Sequence, residues 1–94
     1  MLKNLSSRYE ATIGGSYLEH DELSGDVFNT YTLIEPNGTV HRHKKDIPTM
    51  AENAFYIGGS DTGLLNTEHA AIGANVCWET IRSATVKRLA GKCD

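Results

Sequence analysis

The chain has 94 residues, of which 39% are hydrophobic and 22% charged, the composition of one small globular domain and not of a disordered segment. Nine basic against twelve acidic residues give a formal net charge of −3, so no basic surplus favours nucleic-acid binding. No apolar run suits a membrane span or a signal peptide, and two cysteines make neither a disulfide framework nor a zinc quartet. We therefore expect a single domain over residues 1–94 that is cytoplasmic and has no nucleic-acid or membrane partner.

The first half of the chain is predicted to form a short helix and three antiparallel strands. Residues 2–8 are compatible with a short helix, and residues 10–19 are rich in β-forming side chains. Residues 27–35 alternate so that each face carries apolar side chains, which predicts a strand covered on both sides. A Pro-Asn-Gly turn then leads into a third strand over residues 39–45.

The second half is predicted to contain a long loop, two strands and a helix. Residues 46–62 form a loop longer than a connection needs, and loops of that size are often functional. Residues 63–67 are a short predicted strand, and residues 70–77 a buried strand of small apolar side chains. A helix is predicted over residues 80–90 with Thr80 as its N-cap. This order of elements predicts an α+β fold with a largely antiparallel sheet and one or two helices.

Three side chains are candidates for chemistry. Cys77 ends a predicted strand just before a helix, where backbone N–H groups stabilise a thiolate or an oxyanion. The same position is compatible with a buried cysteine that acts as a small hydrophobe. Lys45 ends the third strand and Glu52 follows in the long loop; alone, they are compatible with a solvated lysine and a surface carboxylate.

The other chemistry-bearing residues do not favour a further site. His41 and His43 point to one face of a predicted strand and offer two metal ligands, but no third ligand follows at a suitable spacing. Cys93 lies in a charged tail and is expected to be an ordinary free thiol. The glycine-rich segment at 58–61 precedes neither a lysine nor a helix, so it is not a phosphate loop. We expect neither a metal nor a cofactor.

Two segments resemble the nitrilase, or carbon–nitrogen hydrolase, superfamily. Residues 72–79, Ile-Gly-Ala-Asn-Val-Cys-Trp-Glu, look like its nucleophile segment, whose strand ends in Cys-Trp-Glu. Residues 43–52, His-Lys-Lys-Asp-Ile-Pro-Thr-Met-Ala-Glu, are similar to its lysine segment, in which the catalytic lysine precedes a Pro-Thr and a glutamate. Shorter matches occur in the correct order at Asn29-Thr30, Asn37-Gly38 and residues 56–61. The resemblance extends over residues 9–94.

This resemblance implies a set of catalytic residues. Cys77 is the implied nucleophile, and Lys45 is implied to stabilise the oxyanion together with the backbone N–H of Trp78. Glu52 corresponds to a second glutamate that places Lys45 and the substrate. The implied reaction is hydrolysis of a small-molecule nitrile or amide through a cysteine thioimidate or acyl intermediate, without a cofactor. The implied fold is part of a four-layer α-β-β-α sandwich.

The family's general-base glutamate and the second half of its fold have no counterpart in these residues. The resemblance therefore implies a truncated nitrilase-like domain that is catalytically incomplete by itself. Two alternatives stay open: a working hydrolase to which a partner chain supplies the glutamate, and a non-enzymatic binding or assembly module built on a nitrilase half-fold.

The burial pattern also predicts self-association. Residues 27–35 and 70–76 carry apolar side chains on both faces, and the predicted helices are too few to cover both. We therefore expect a homodimer or a higher even oligomer, with an apolar, sheet-facing interface that includes side chains from residues 27–35.

Overall fold

A computed structural model describes all residues from 1 to 94. It contains two helices, α1 (Leu2–Tyr9) and α2 (Ser83–Leu89), and five strands, β1 (Ile13–His20), β2 (Val27–Ile34), β3 (Val40–Lys44), β4 (Leu64–Asn66) and β5 (Ala71–Gly73). Two 3₁₀ turns cover Met50–Ala54 and Cys77–Thr80. The predicted α+β class is confirmed. Neither helix combines the length and the apolar character that crossing a membrane requires.

The strands form two antiparallel sheets, one of three strands and one of two. β2 is the central strand between β1 and β3, and β4 pairs with β5. Ile34 of β2 lies opposite Ile13 on one side and Val40 on the other, in the alternation that the sequence predicts for this strand. Between β2 and β3, Gly38 takes a φ of 90°, a conformation that glycine adopts without strain and that the Asn-Gly pair indicates.

Helix α1 packs on one face of the larger sheet, near the start of β1. Ser6 is fully buried in this contact, and its hydroxyl lies 2.7 Å from the carbonyl oxygen of Ala11 and 3.2 Å from that of Ile34. The Leu2 side chain faces Gly15 of β1 across the same contact. Because α1 has eight residues, it covers only this end of the face.

The opposite face of the larger sheet carries the apolar core, which is small. Leu33 of β2 packs there with Leu65 of β4 and Ala74, and the half-buried Tyr31 lies against them. The largest fully buried side chains are nonetheless polar: Lys45, His43 and Glu79. The interior between the two sheets is therefore as much an ionic network as a hydrophobic core.

Two sequence predictions are wrong in the segment that joins the second sheet to α2. The strand predicted over 70–77 has only the three residues of β5 and is not buried, since Ile72 is 37% exposed. The helix predicted over 80–90 begins at Ser83, with Arg82 and not Thr80 at the N-cap. The intervening residues form the 3₁₀ turn Cys77–Thr80, because the Glu79 carboxylate draws the backbone of Val76 inward.

The cover of β2 also differs from the prediction. Leu33 and Ile34 are 7% and 6% exposed within one chain, so these two side chains need no second copy to remove them from water. Large apolar side chains are instead exposed on β1 and in the turns, including Tyr17, Leu18, Met50, Phe55, Trp78 and Ile81.

The importance of the small apolar core can be measured by truncating one side chain. Leu65 is 3% exposed, and replacing it with alanine is expected to lower the free energy of unfolding by about 2–5 kcal/mol, because the cavity cannot collapse in a close-packed interior. The matched control is Leu23→Ala, since Leu23 is wholly exposed in a loop. Urea denaturation followed by circular dichroism measures both variants, and equal losses would contradict this description of the core.

Candidate functional site

The first part of the candidate site is formed where β3 enters the long loop. The Lys45 side chain is only 1% exposed, and its ammonium donates to the Thr49 hydroxyl at 2.8 Å and to Glu52 Oε2 at 2.6 Å. The Thr49 N–H donates to the same carboxylate oxygen at 2.6 Å, which starts the 3₁₀ turn Met50–Ala54. A buried lysine is thus held by two residues that follow it within seven positions.

The electrostatics of this part of the site are those of a fixed ion pair. The pKa of Glu52 is lowered from 4.5 to about 2, mainly by the hydrogen bond from Lys45, then by the Tyr56 hydroxyl and the Thr49 N–H. Two of the three ammonium N–H bonds of Lys45 are used in these contacts, so one donor has no acceptor within the chain.

The second part is the turn that begins at Cys77. Cys77 has a φ of 58°, a left-handed conformation that is unusual for a residue other than glycine, and its side chain is exposed as a free thiol. The backbone N–H groups of Cys77 and Trp78 make no hydrogen bond, as expected for the first two donors of a helical turn. The turn therefore combines an accessible sulfur with two unsatisfied backbone donors.

The Glu79 carboxylate connects the two parts. Its side chain is fully buried, and it accepts hydrogen bonds from the Val76 N–H at 2.6 Å and from the Asp46 N–H at 2.8 Å. Val76 immediately precedes Cys77, and Asp46 immediately follows Lys45. One carboxylate therefore fixes the backbone next to both candidate catalytic residues.

His43 supports this carboxylate from β3. Its buried ring lies between two acidic groups, with Nε2 2.8 Å from Glu79 Oε2 and Nδ1 2.5 Å from Asp61 Oδ1. Burial lowers the pKa of His43, but the hydrogen bonds to Asp61 and Glu79 more than compensate, and the net pKa lies above 6.5. Asp61 also accepts the N–H of Lys44 at 2.8 Å, so it holds β3 as well as the ring.

Helix α2 is tied to the same network through Asp46. The Asp46 carboxylate accepts from Arg82 at 2.9 Å and from the buried Thr85 hydroxyl at 3.0 Å, and Arg88 lies 3.2 Å away. Arg88 also lies 3.8 Å from the Glu79 carboxylate. Three acidic and three basic side chains meet here, and their charges balance when His43 is protonated.

The glycine pair in the long loop has a structural explanation. The N–H of Gly59 donates to the Lys45 carbonyl at 2.8 Å, and a Cβ on Gly59 would overlap Lys44. A Cβ on Gly58 would overlap the Asp46 carbonyl oxygen. The loop therefore passes against the end of β3 at a distance that only glycine permits.

The structure brings some of the predicted site residues together and separates others. Lys45 and Glu52 are in direct contact, whereas no hydrogen bond joins the Cys77 thiol to either of them. The predicted clustering of all three side chains stays a prediction. His41 and His43 share a face but not a site, because His41 binds Glu35 at 2.6 Å.

The sequence inference missed Glu79 and Asp61, and it considered His43 only as a metal ligand. The sequence spacing could have indicated a role for His43. It lies two residues before Lys45 in extended backbone, so both side chains point to the same face, and burial of Lys45 implies burial of His43. No local pattern indicates that Glu79 reaches back to β3, because that contact spans 33 positions.

A cavity lies beside the Cys77 turn. Its volume is about 250 Å³, and it is lined by Tyr31, Ile72, Gly73, Ala74 and Asn75. Neither Lys45 nor Cys77 lines it, so this cavity and the candidate catalytic residues are neighbours rather than one pocket.

Comparison of the chain with protein-family models, with curated proteins and with solved structures found no match.

The pairing of Lys45 with Glu52 predicts a pH-dependent stability. Because the folded-state pKa of Glu52 lies below 4.5, its contribution is fully present above pH 4.5 and is lost as the pH falls towards about 2. Wild type is therefore expected to melt at a higher temperature than Glu52→Gln at pH 7, with a difference that shrinks below pH 4.5. Thermal melts across this range measure it.

The control for this experiment is Glu22→Gln, at an exposed carboxylate without a partner, which is expected to melt like wild type throughout. A difference between wild type and Glu52→Gln that stayed constant down to pH 3 would contradict the ion pair.

Proposed function

We propose that these residues form part of a cysteine hydrolase site of the nitrilase type, acting on a carbon–nitrogen bond of a nitrile or amide. In this proposal Cys77 is the nucleophile, Lys45 and the Trp78 N–H stabilise the negative charge of the intermediate, and Glu52 orients Lys45. The observation that carries it is the buried ammonium of Lys45, fixed at 2.6 Å by Glu52 and with one N–H left for a ligand. The family assignment itself comes from the sequence resemblance.

These groups supply the nucleophile and the oxyanion donors for the first step. The Cys77 sulfur bonds to the carbonyl carbon of an amide, and the π electrons move to the oxygen, where the Lys45 ammonium and the Trp78 N–H donate hydrogen bonds. The proton of the Cys77 thiol is transferred to the amide nitrogen, so that collapse of this adduct breaks the C–N bond, releases ammonia and leaves a thioester. Water then hydrolyses the thioester to the acid and restores the thiol.

The same chemistry needs a proton acceptor near Cys77, and the acidic side chains around the turn are engaged elsewhere. Glu79 accepts from two backbone N–H groups and a histidine, and Glu52 is bound to Lys45. We therefore propose that this chain alone forms a covalent adduct at Cys77 without completing turnover. A carboxylate supplied by another chain is the alternative that would restore hydrolysis.

A paired measurement tests the proposed site. The purified chain is expected not to hydrolyse simple nitriles or amides, whereas iodoacetamide is expected to alkylate Cys77 faster than Cys93. The Cys77 thiol lies beside two unsatisfied N–H donors and makes no hydrogen bond of its own, whereas the Cys93 thiol donates to the Leu89 carbonyl oxygen at 3.5 Å. Peptide mass spectrometry measures both cysteines in one sample, with Cys77→Ser and Cys93→Ser as matched variants.

Equal alkylation of the two cysteines would contradict a specialised thiol at Cys77. Hydrolysis that is lost in Cys77→Ser would contradict only the proposed incompleteness, and it would identify a base within these residues.

A second candidate function is an assembly module, and exposed apolar side chains favour it. Tyr17 is 41% exposed on the sheet face that α1 leaves partly open, and Phe28 lies on the same face of β2. We propose that a second copy of the chain covers this face, giving a homodimer or a higher even oligomer, since the exposed part of the Tyr17 ring and the half-buried Phe28 forgo hydrophobic stabilisation that burial would supply.

This assembly predicts a mass of twice the monomer, or a higher even multiple, in light scattering at micromolar concentration. Tyr17→Asp is expected to shift the protein towards the monomer, because a carboxylate cannot be buried unpaired in an apolar interface. Leu23→Asp, in an exposed loop, is the control and should leave the mass unchanged. A wild-type monomer, or a dimer insensitive to Tyr17→Asp, would exclude this interface.

A further inference from the structure

The strongest unassigned feature of the molecule is the triad of the buried His43 and Glu79 with the partly exposed Asp61, because it lies between the two halves of the candidate site without belonging to either. Both oxygens of Glu79 face N–H donors: Oε1 faces the Asp46 N–H, and Oε2 faces the Val76 N–H and the His43 ring. Both oxygens of this carboxylate therefore act as hydrogen-bond acceptors.

The geometry of the His43 ring defines its charge state. One ring nitrogen faces Glu79 at 2.8 Å and the other faces Asp61 at 2.5 Å. Ionised carboxylates only accept hydrogen bonds, so both ring nitrogens must carry hydrogen and the ring is an imidazolium. If it loses one proton, a nitrogen lone pair faces a carboxylate, and one of the two hydrogen bonds becomes a repulsion.

Loss of a proton from the His43 ring also affects the Cys77 turn, through Glu79. The left-handed backbone at Cys77 persists only when its surroundings hold it, and the bond from the Val76 N–H to Glu79 is the hydrogen bond immediately before it. The same carboxylate holds the peptide that follows Lys45. If the hydrogen bonds to Glu79 weaken, the Cys77 turn is held less firmly and its alignment with Lys45 is disturbed at the same time.

We propose that His43, Asp61 and Glu79 are positioning residues that hold the Cys77 turn against the end of β3, so that the reactivity of Cys77 depends on the protonation of His43. This inference rests on the proposed role of Cys77. The charged groups around the ring support it: Asp61 comes from the loop before β4, Glu79 from the turn and Arg88 from α2, while the neutral Tyr31 lies opposite on β2. Lys45, two residues after His43, is balanced by its partner Glu52. With Asp46 and Arg82 included, the remaining charges sum to zero only when His43 is charged.

The test compares two titrations of the wild-type chain. The rate of iodoacetamide alkylation of Cys77 is divided by that of Cys93, which cancels the general rise of thiol reactivity with pH, and the His43 ring is titrated by NMR. The ratio is expected to fall by roughly threefold or more, the size of coupling found within one side-chain network, as His43 loses its proton. A ratio that does not change through the His43 midpoint would overturn the proposal.

A variant tests whether the step in the alkylation ratio follows His43. Asp61→Asn removes one acceptor at a partly exposed position, so the His43 midpoint is expected to move to lower pH and the step in the ratio must move with it. Glu22→Gln is the matched control and should move neither. A step that stays in place while the His43 midpoint moves would overturn the proposal.

His43→Gln is expected to abolish the step altogether, and retention of the step in a folded variant would overturn the proposal. If His43→Gln does not fold, wild type and Asp61→Asn still decide the question.

The outcomes also separate this inference from the proposed function. Equal reactivity of the two cysteines at low pH with a step at the His43 midpoint would support the coupling and contradict the hydrolase site. A consistently more reactive Cys77 with no such step would support the site and overturn the coupling.

Discussion

The buried carboxylate of Glu79 is the constraint on which the rest of the structure depends. It is fully buried, and its hydrogen bonds reach His43 in β3, Asp46 just after β3 and Val76 in the segment that follows β5. Leaving such a group without donors would cost far more than each hydrogen bond contributes, so the donors must be in place when the chain folds. The position of the Cys77 turn follows from this requirement.

An interior of this kind specifies a structure more than it stabilises one. The apolar core around Leu33, Leu65 and Ala74 is small, whereas three acidic and three basic side chains meet beside it. Desolvation offsets much of the attraction within buried ion pairs, but misplacing one partner leaves an uncompensated charge. Such a network therefore tolerates few alternative arrangements of the backbone around it.

The sequence correctly predicted the elements that depend on residues close in the chain. The predictions failed for elements that depend on contacts between distant residues. Alternation in β2 and β3, the Asn-Gly turn and the contact of Lys45 with Glu52 all arise from residues close in the chain, and each is present. The strand predicted through Cys77 ends early because β4 offers only three residues to pair with and Glu79 turns the backbone inward. Thr80 loses the N-cap position for the same reason, since the 3₁₀ turn occupies the residues before α2.

The two parts of the candidate site also differ in whether neighbouring or distant residues position them. This difference decides how sensitive each part is to substitutions elsewhere in the chain. Lys45 is positioned by residues within seven places of it, so its geometry forms with the loop. Cys77 is positioned by a carboxylate that depends on a histidine 36 positions away, whose own charge depends on Asp61. A side chain held through such a chain of contacts is sensitive to substitutions at residues that it does not touch. The geometry of the candidate site is therefore local at the lysine and collective at the cysteine, because the position of the Cys77 turn depends on Glu79, His43 and Asp61 together.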